Sequence, residues 1–310
     1  MLLSAHVPRP AVDWAQAAPS PIPLFESTSA VVSGKVYVFG GFIDTAAETT
    51  LQSDVYDPRH NTWQRIADMP EGLTHIGRAV VGSNVWCVGG LAGTGAAVSS
   101  ADVWIYHTKT NTWSAGPDLP EARGAGALVL LGTKLHFFGG LQTRAQDQGE
   151  QWVLDLHHLA KGWISAAPLP VPCNHLAGVA LDGKIYAIGG QHLWNEDTQN
   201  VDNVQVYNPT TDAWTQAPPL PTGRGHISDS TFAYRGRIIV IGGAENGTPA
   251  LSDVLEYNVA KHAWSLLSNF PASRRAPVAA AVANSLIVTT GDPGNITPTD
   301  ETWVGRVRNL

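Results

Sequence analysis

Residues 35–70 read KVYVFGGFIDTAAETTLQSDVYDPRHNTWQRIADMP, and this one stretch carries the plan of the fold. It opens on an alternating apolar run that ends in Gly40-Gly41. A polar segment follows, then a second run, SDVYDP, a turn at Asp57-Pro58, and then Trp63 and Pro70. Short runs rich in β-branched and aromatic residues, bounded by Gly and Pro, mark strands and turns. The plan returns at intervals of about 50 residues: NVWCVGG, KLHFFGG, KIYAIGG and RIIVIGG end on Gly89-Gly90, Gly139-Gly140, Gly189-Gly190 and Gly242-Gly243. A degenerate sixth copy ends on Thr290-Gly291. Trp113, Trp163, Trp214 and Trp264 repeat the place of Trp63, and Pro120, Pro170, Pro221 and Pro271 that of Pro70.

Each unit thus holds four antiparallel strands. A lone four-stranded sheet cannot bury both its faces, whereas such sheets stacked around an axis do. The period and the Gly-Gly, Tyr and Trp signature resemble the kelch repeat, over roughly residues 11 to 307. The expected fold is all-β: a six-bladed propeller of four-stranded antiparallel blades. The sixth unit lacks its Trp-bearing strand, and Val12-Asp13-Trp14-Ala15-Gln16 supplies one ahead of Pro19 and Pro23. The N-terminal strand, about residues 11–17, is therefore expected to complete the last blade and remove an open edge.

Composition narrows the function. Of 310 residues only 15% are charged and 44% are apolar, and the net charge is −7. Disorder and coiled coil are excluded, and an acidic chain is a poor match to nucleic acid. No apolar run reaches the roughly 18 residues of a membrane span. The opening MLLSAHVPRPAVDW lacks a secretory pattern, and two cysteines, Cys87 and Cys173, make no disulfide framework. A cytoplasmic, monomeric, single-domain chain over 1–310 is expected, without the helical ligase-recruiting domains of many animal kelch adaptors.

The loops between the second and third strands are long and varied, the opposite turns short and uniform, which places function on one face. Counting back from each glycine pair gives a second ring on that face: Glu26, His75 and His175. With small offsets it also takes Arg123, Arg224 or His226, and Arg274 or Arg275. Kelch substrate adaptors often set arginine there to grip acidic peptides, so the resemblance implies ligand roles for Arg123, Arg224 and Arg274. Guanidinium grips a carboxylate through two parallel bonds. His75, His175 and His226, with Glu26 nearby, also form a candidate metal set, since imidazole and carboxylate suit iron, zinc or copper. They match neither the one-segment iron site of kelch-type plant specifier proteins nor the Tyr, His and Cys set of kelch-like copper oxidases. Trp194, outside the repeated Trp positions, is a candidate platform for a ring or a side chain. Glu196 and Glu245 are possible bases.

No P-loop, dinucleotide fingerprint, HExxH or GxSxG pattern occurs, so no cofactor is expected. Trp14, Trp63, Trp113, Trp163, Trp214 and Trp264 recur in register and read as packing between blades. The expected function is a kelch-type binding module taking a protein segment or an acidic ligand at the channel mouth. The alternatives are a carbohydrate enzyme of the sialic-acid mutarotase type, which the resemblance also offers, or a metal-dependent enzyme built on the histidines.

Overall fold

The computed structural model of the chain describes residues 12–96, 98–143 and 146–308. The opening residues, including position 11 of the expected N-terminal strand, lie outside the described residues, as do two positions of the third blade's loop. The described residues contain no α-helix, and none long and apolar enough to cross a membrane.

Six antiparallel blade sheets follow one another along the described chain, five of four strands and the second of five, where Leu73–Thr74 adds a short strand. Blade one is Thr28–Val32, Lys35–Phe39, Ser53–Asp57 and Thr62–Arg65. The other five repeat it, and their first strands are Gly77–Val81, Ala127–Leu131, Ala177–Leu181, Thr231–Tyr234 and Val278–Val282. The last sheet closes as expected: Val12–Ala17 pairs antiparallel with Thr302–Val307, Val12 opposite Val307 and Ala17 opposite Thr302. Residues 12–17 and 302–307 are thereby held in one sheet, and the last blade gains the fourth strand that the others have.

Two repeated contacts hold blade to blade. The indole of the fourth strand donates to a carbonyl of the preceding blade: Trp63 to Ala18 at 2.9 Å, Trp163 to Pro117 at 2.8 Å, Trp264 to Pro218 at 3.1 Å. Each of these indoles, buried in its body and polar at its tip, needs such an acceptor. On the inner side, the second glycine of each pair donates its N–H to the following blade. Gly41 reaches Leu73 O at 2.9 Å, Gly90 Arg123 O at 2.8 Å, Gly190 Arg224 O at 2.8 Å and Gly243 Arg274 O at 2.8 Å. The first glycine must then lie against the same carbonyl. A Cβ on Gly89 would sit 2.3 Å from Arg123 O, and one on Gly189 2.4 Å from Arg224 O. Glycine is required there by contact as well as by its positive φ.

The core is a series of wedges between neighbouring sheets, such as Phe39, Tyr37, Val85, Cys87 and Tyr106 between blades one and two. The first strands of all six blades line the central channel.

Candidate functional site at the channel mouth

One residue per blade stands in the left-handed backbone region just before its first strand: Glu26, His75, Ala125, His175, His226 and Ala276, with φ between 47° and 56°. In sequence, Glu26, His75, Ala125 and His175 lie fourteen residues before Gly40, Gly89, Gly139 and Gly189, and Ala276 fourteen before Thr290. His226 lies sixteen before Gly242, because blade five carries two extra residues around Asp229. The six form a ring tied by backbone bonds. Ala125 N–H donates to His75 O at 2.9 Å, His175 N–H to Ala125 O at 2.9 Å, and Ala276 N–H to His226 O at 3.1 Å. A left-handed non-glycine residue costs on the order of 1 kcal/mol and persists where surrounding bonds over-determine it.

The ring turns four functional side chains inward, and two alanines make room for them. Across Ala125, the His75 and His175 rings meet edge to face at 4.6 Å, and His175 meets His226 at 4.7 Å. Across Ala276, His226 Nδ1 donates to Glu26 Oε1. The other carboxylate oxygen, Oε2, lies 3.5 Å from His75 Nε2. Side-chain exposure is 3% for His75, 11% for Glu26 and 12% for His226, so these groups face one another rather than water. Burial alone would raise the Glu26 carboxyl; His75 and His226 outweigh it and hold the group well below the usual carboxylate range. Burial drives His175 the other way, reinforced by His75 and His226, so its imidazole is neutral. One donor atom from each of Glu26, His75, His175 and His226 falls within 4.8 Å of every other. The donor set of three imidazoles and one carboxylate is able to hold a divalent cation, or to share protons with a polar ligand.

Below the ring, Asp229 turns into the channel from the extra residues of blade five. It accepts from Ser29 N–H at 2.8 Å and pairs with Arg78 at 3.3 Å. Burial raises its carboxyl against the pull of Arg78. Above the ring lies a cavity of about 170 Å³, walled by Phe25, Phe42, Ala47, Trp194 and Ile296 and floored by Glu26, His75 and His226. Trp194 packs on the floor itself, 5.5 Å from the His75 ring and 5.1 Å from His175. Phe25 and Phe42 meet beside it with their rings tilted by 45° and their centroids 5.0 Å apart.

The ring thus contains four of the expected site residues, with Trp194 above them. The three arginines are a correction. Arg123, Arg224 and Arg274 stand two positions before Ala125, His226 and Ala276, at the place held in other blades by Leu24, Leu73 and Cys173. That place is the carbonyl against the neighbouring glycine pair, and its side chain runs between blades. Arg123 is fully buried, stacks 4.7 Å over Trp152 and pairs with Glu150 at 3.0 Å. Arg224 clasps Asp253 with two bonds of 2.8 and 2.7 Å, and Arg274 pairs with Glu301. The small offsets used to bring them into the ring caused the misplacement. Arg275 does reach the cavity wall, paired there with Asp292. Glu196 and Glu245 do not line the cavity. Sequence reasoning missed Phe25, Phe42, Asn174 and Asp229; a strict count of fourteen would have found the two alanines.

Comparison with known proteins agrees with this architecture. The model of the KLHDC2/KLHL20/DRC7 Kelch-repeats domain matches residues 78–291, and the Kelch motif matches residues 23–70. The Kelch-like protein terF of Aspergillus terreus is 41% identical over 88 residues, 26% of this chain and 19% of that protein. Kelch-like protein 21 of Rattus norvegicus is 37% identical over 84 residues, 27% and 13% of the two chains. N-acetylneuraminate epimerase of Pasteurella multocida is 37% identical over 71 residues, 21% and 19% of the two. The matched segments therefore span less than a fifth of these relatives. A solved structure, that of YjhT, superposes on 94% of this chain and 99% of its own with a TM-score of 0.76 at 16% identity, a likeness of fold. With a family model matched across two-thirds of its length, and the Gly-Gly and Trp contacts described above recurring from blade to blade, the chain belongs to the kelch-repeat family.

Proposed function

We propose that this kelch propeller is a binding module whose site is the loop-face cavity, and that it takes one ring-sized apolar group carrying a polar end. The observation that supports this most is the continuity of an apolar wall, Phe25, Phe42, Trp194 and Ile296, with a buried polar floor, Glu26, His75 and His226. A cavity of roughly 150 Å³ lined by apolar side chains accommodates benzene, and this one is about 170 Å³. The apolar group sits against the aromatic wall, and its polar end meets the carboxylate and imidazoles. The group comes either from an aromatic side chain of a protein segment or from a free small molecule; the chemistry recognised is the same.

The mutarotase-type reading stands second. It needs a cation at the mouth for a sugar carboxylate; Arg123, Arg224 and Arg274 are engaged between blades, and Arg275 at the cavity wall is paired with Asp292.

Calorimetric titration tests the reading with three probes: a phenylalanine-bearing peptide, benzoate with its neutral amide, and sialic acid. Binding of the peptide or the aromatic probes, weakened at least ~10-fold in Trp194→Ala and Ile296→Glu, is expected. Binding of sialic acid alone, or aromatic binding untouched by both substitutions, would overturn it.

A further inference from the structure

We infer that Glu26, His75, His175 and His226 bind one divalent first-row transition-metal ion at the mouth of the channel. This names the chemistry of the floor of the same cavity, and rests on the reading above for the ligand that such an ion would meet.

The first ground is donor geometry. Four ligands about 2.1 Å from a tetrahedral ion stand roughly 3.4 Å apart. His75 Nε2 and Glu26 Oε2 are already 3.5 Å apart. The widest separation in the cluster is within 4.8 Å, close to that spacing.

The second ground is how two of the three imidazoles are held. A metal-binding histidine usually donates its other ring N–H to a fixed acceptor, which sets the tautomer and aims the lone pair. Thr74 Oγ1 spends its own proton on Glu26 O at 2.7 Å, so it accepts from His75 Nδ1 at 3.1 Å. That leaves the Nε2 lone pair of His75 on the side of the Glu26 carboxylate. For His175 the case is stronger. Asn174 Nδ2 donates to Asp147 and, at 3.2 Å, to Leu193 O, so its amide cannot be turned and Oδ1 must accept from His175 Nδ1–H. The result is a carboxylate–amide–imidazole relay that fixes the His175 ring. Its Nε2 is buried, aimed into the cluster, and has no hydrogen-bond partner among the described residues. An unpartnered buried nitrogen costs on the order of 1–3 kcal/mol, and a metal ion would remove that cost.

The third ground is placement. Four ligand-type residues fill a ring of six equivalent positions, and the other two are alanine. Metal ligation through His226 Nδ1 would move the ring proton to Nε2, which faces the Gln191 amide. Three imidazoles with one carboxylate favour zinc, iron(II), cobalt(II) or nickel(II) over magnesium and calcium.

The test uses the full chain without a histidine tag, stripped with a chelator and titrated with Co²⁺ and then Zn²⁺. One Co²⁺ per chain is expected, with a visible d–d band that Zn²⁺ abolishes. His175→Ala and Glu26→Gln should weaken binding at least ~100-fold, and Asn174→Leu, which touches only the relay, about 10–100-fold. His60→Asn and His158→Asn, at exposed histidines, should leave it unchanged. If His175→Ala fails to fold, Glu26→Gln and Asn174→Leu decide. Absence of a Co²⁺ band in a cooperatively folded chain would overturn the inference, as would a band that persists in all three variants. Co²⁺ binding without any aromatic ligand would keep this inference and remove the cavity reading. Aromatic ligand binding to a chain that takes no Co²⁺ would do the reverse.

Discussion

Arg224 gives the sharpest test of whether the misplaced arginines are structural. Its side chain is 2% exposed, while that of its partner Asp253 is 27% exposed. Three bonds are lost on substitution: Nη1 to Gly242 O at 3.1 Å, and the two to Asp253 at 2.8 and 2.7 Å. Breaking a buried pair costs about 3–5 kcal/mol, mostly because the abandoned charge stays buried. Asp253 is open enough to recover part of its hydration, which sets the loss near 3 kcal/mol. A leucine side chain restores about 1 kcal/mol of apolar burial, so Arg224→Leu should lose about 2 kcal/mol. The repeat itself supplies the compensating change. Blades carrying arginine here carry Glu150, Asp253 or Glu301 opposite, whereas blade two pairs Leu73 with Ser100. The double variant Arg224→Leu/Asp253→Ser imports that pair and should return to within about 1 kcal/mol of the parent, a coupling of roughly 1 kcal/mol or more. Urea unfolding at fixed pH reads the three stabilities, and titration with Co²⁺ and the aromatic probes reads the site. An Arg224→Leu chain of unchanged stability that no longer binds its ligand would refute the structural account.

Three further outcomes follow from the same contacts. Removing residues 1–18 deletes the strand that pairs along Thr302–Val307, and should lower the melting temperature by at least ~5 °C; an unchanged melt would refute closure of the last blade. Gly89→Ala should cost several kcal/mol, because its Cβ meets Arg123 O at 2.3 Å, whereas Gly132→Ala, at nearly the same φ in open space, should cost about 1–2 kcal/mol; equal melting shifts would sink the contact argument. Burial, helped by Lys134, lowers the His136 pKa to about 4, and Gln151 Nε2 donates to its Nδ1 at 3.0 Å. Since the unfolded chain takes up a proton near pH 6.5 that the folded chain refuses until about 4, stability should fall with pH across that window by up to about 3 kcal/mol. His136→Tyr, the residue at the equivalent position in blade four, should lose that part of the acid sensitivity in melts at pH 7 and 4.5, and an unaltered pH profile would exclude it.

The sequence by itself determined the blade number, the strand order and the closure by Val12–Ala17. Those follow from local chemistry repeated at fixed spacing: Gly-Gly where a carbonyl of the next blade presses in, and Trp where an indole must reach the blade before. It also contained Glu26, His75, His175 and His226, since equivalent repeat positions converge around an axis. What it did not fix was which of two nearby positions faces that axis. Arg123 and Ala125 are two residues apart, and only the left-handed φ at Ala125 turns that side chain inward while the Arg123 carbonyl is held by Gly90. The tertiary structure alone brought Asp147, Asn174 and His175 into one relay, and set Phe25, Phe42 and Trp194 over the ring. Those contacts join loops of different blades. Their partners lie tens to more than a hundred residues apart, where no local period constrains them, and only closure of the propeller fixes the distance between them.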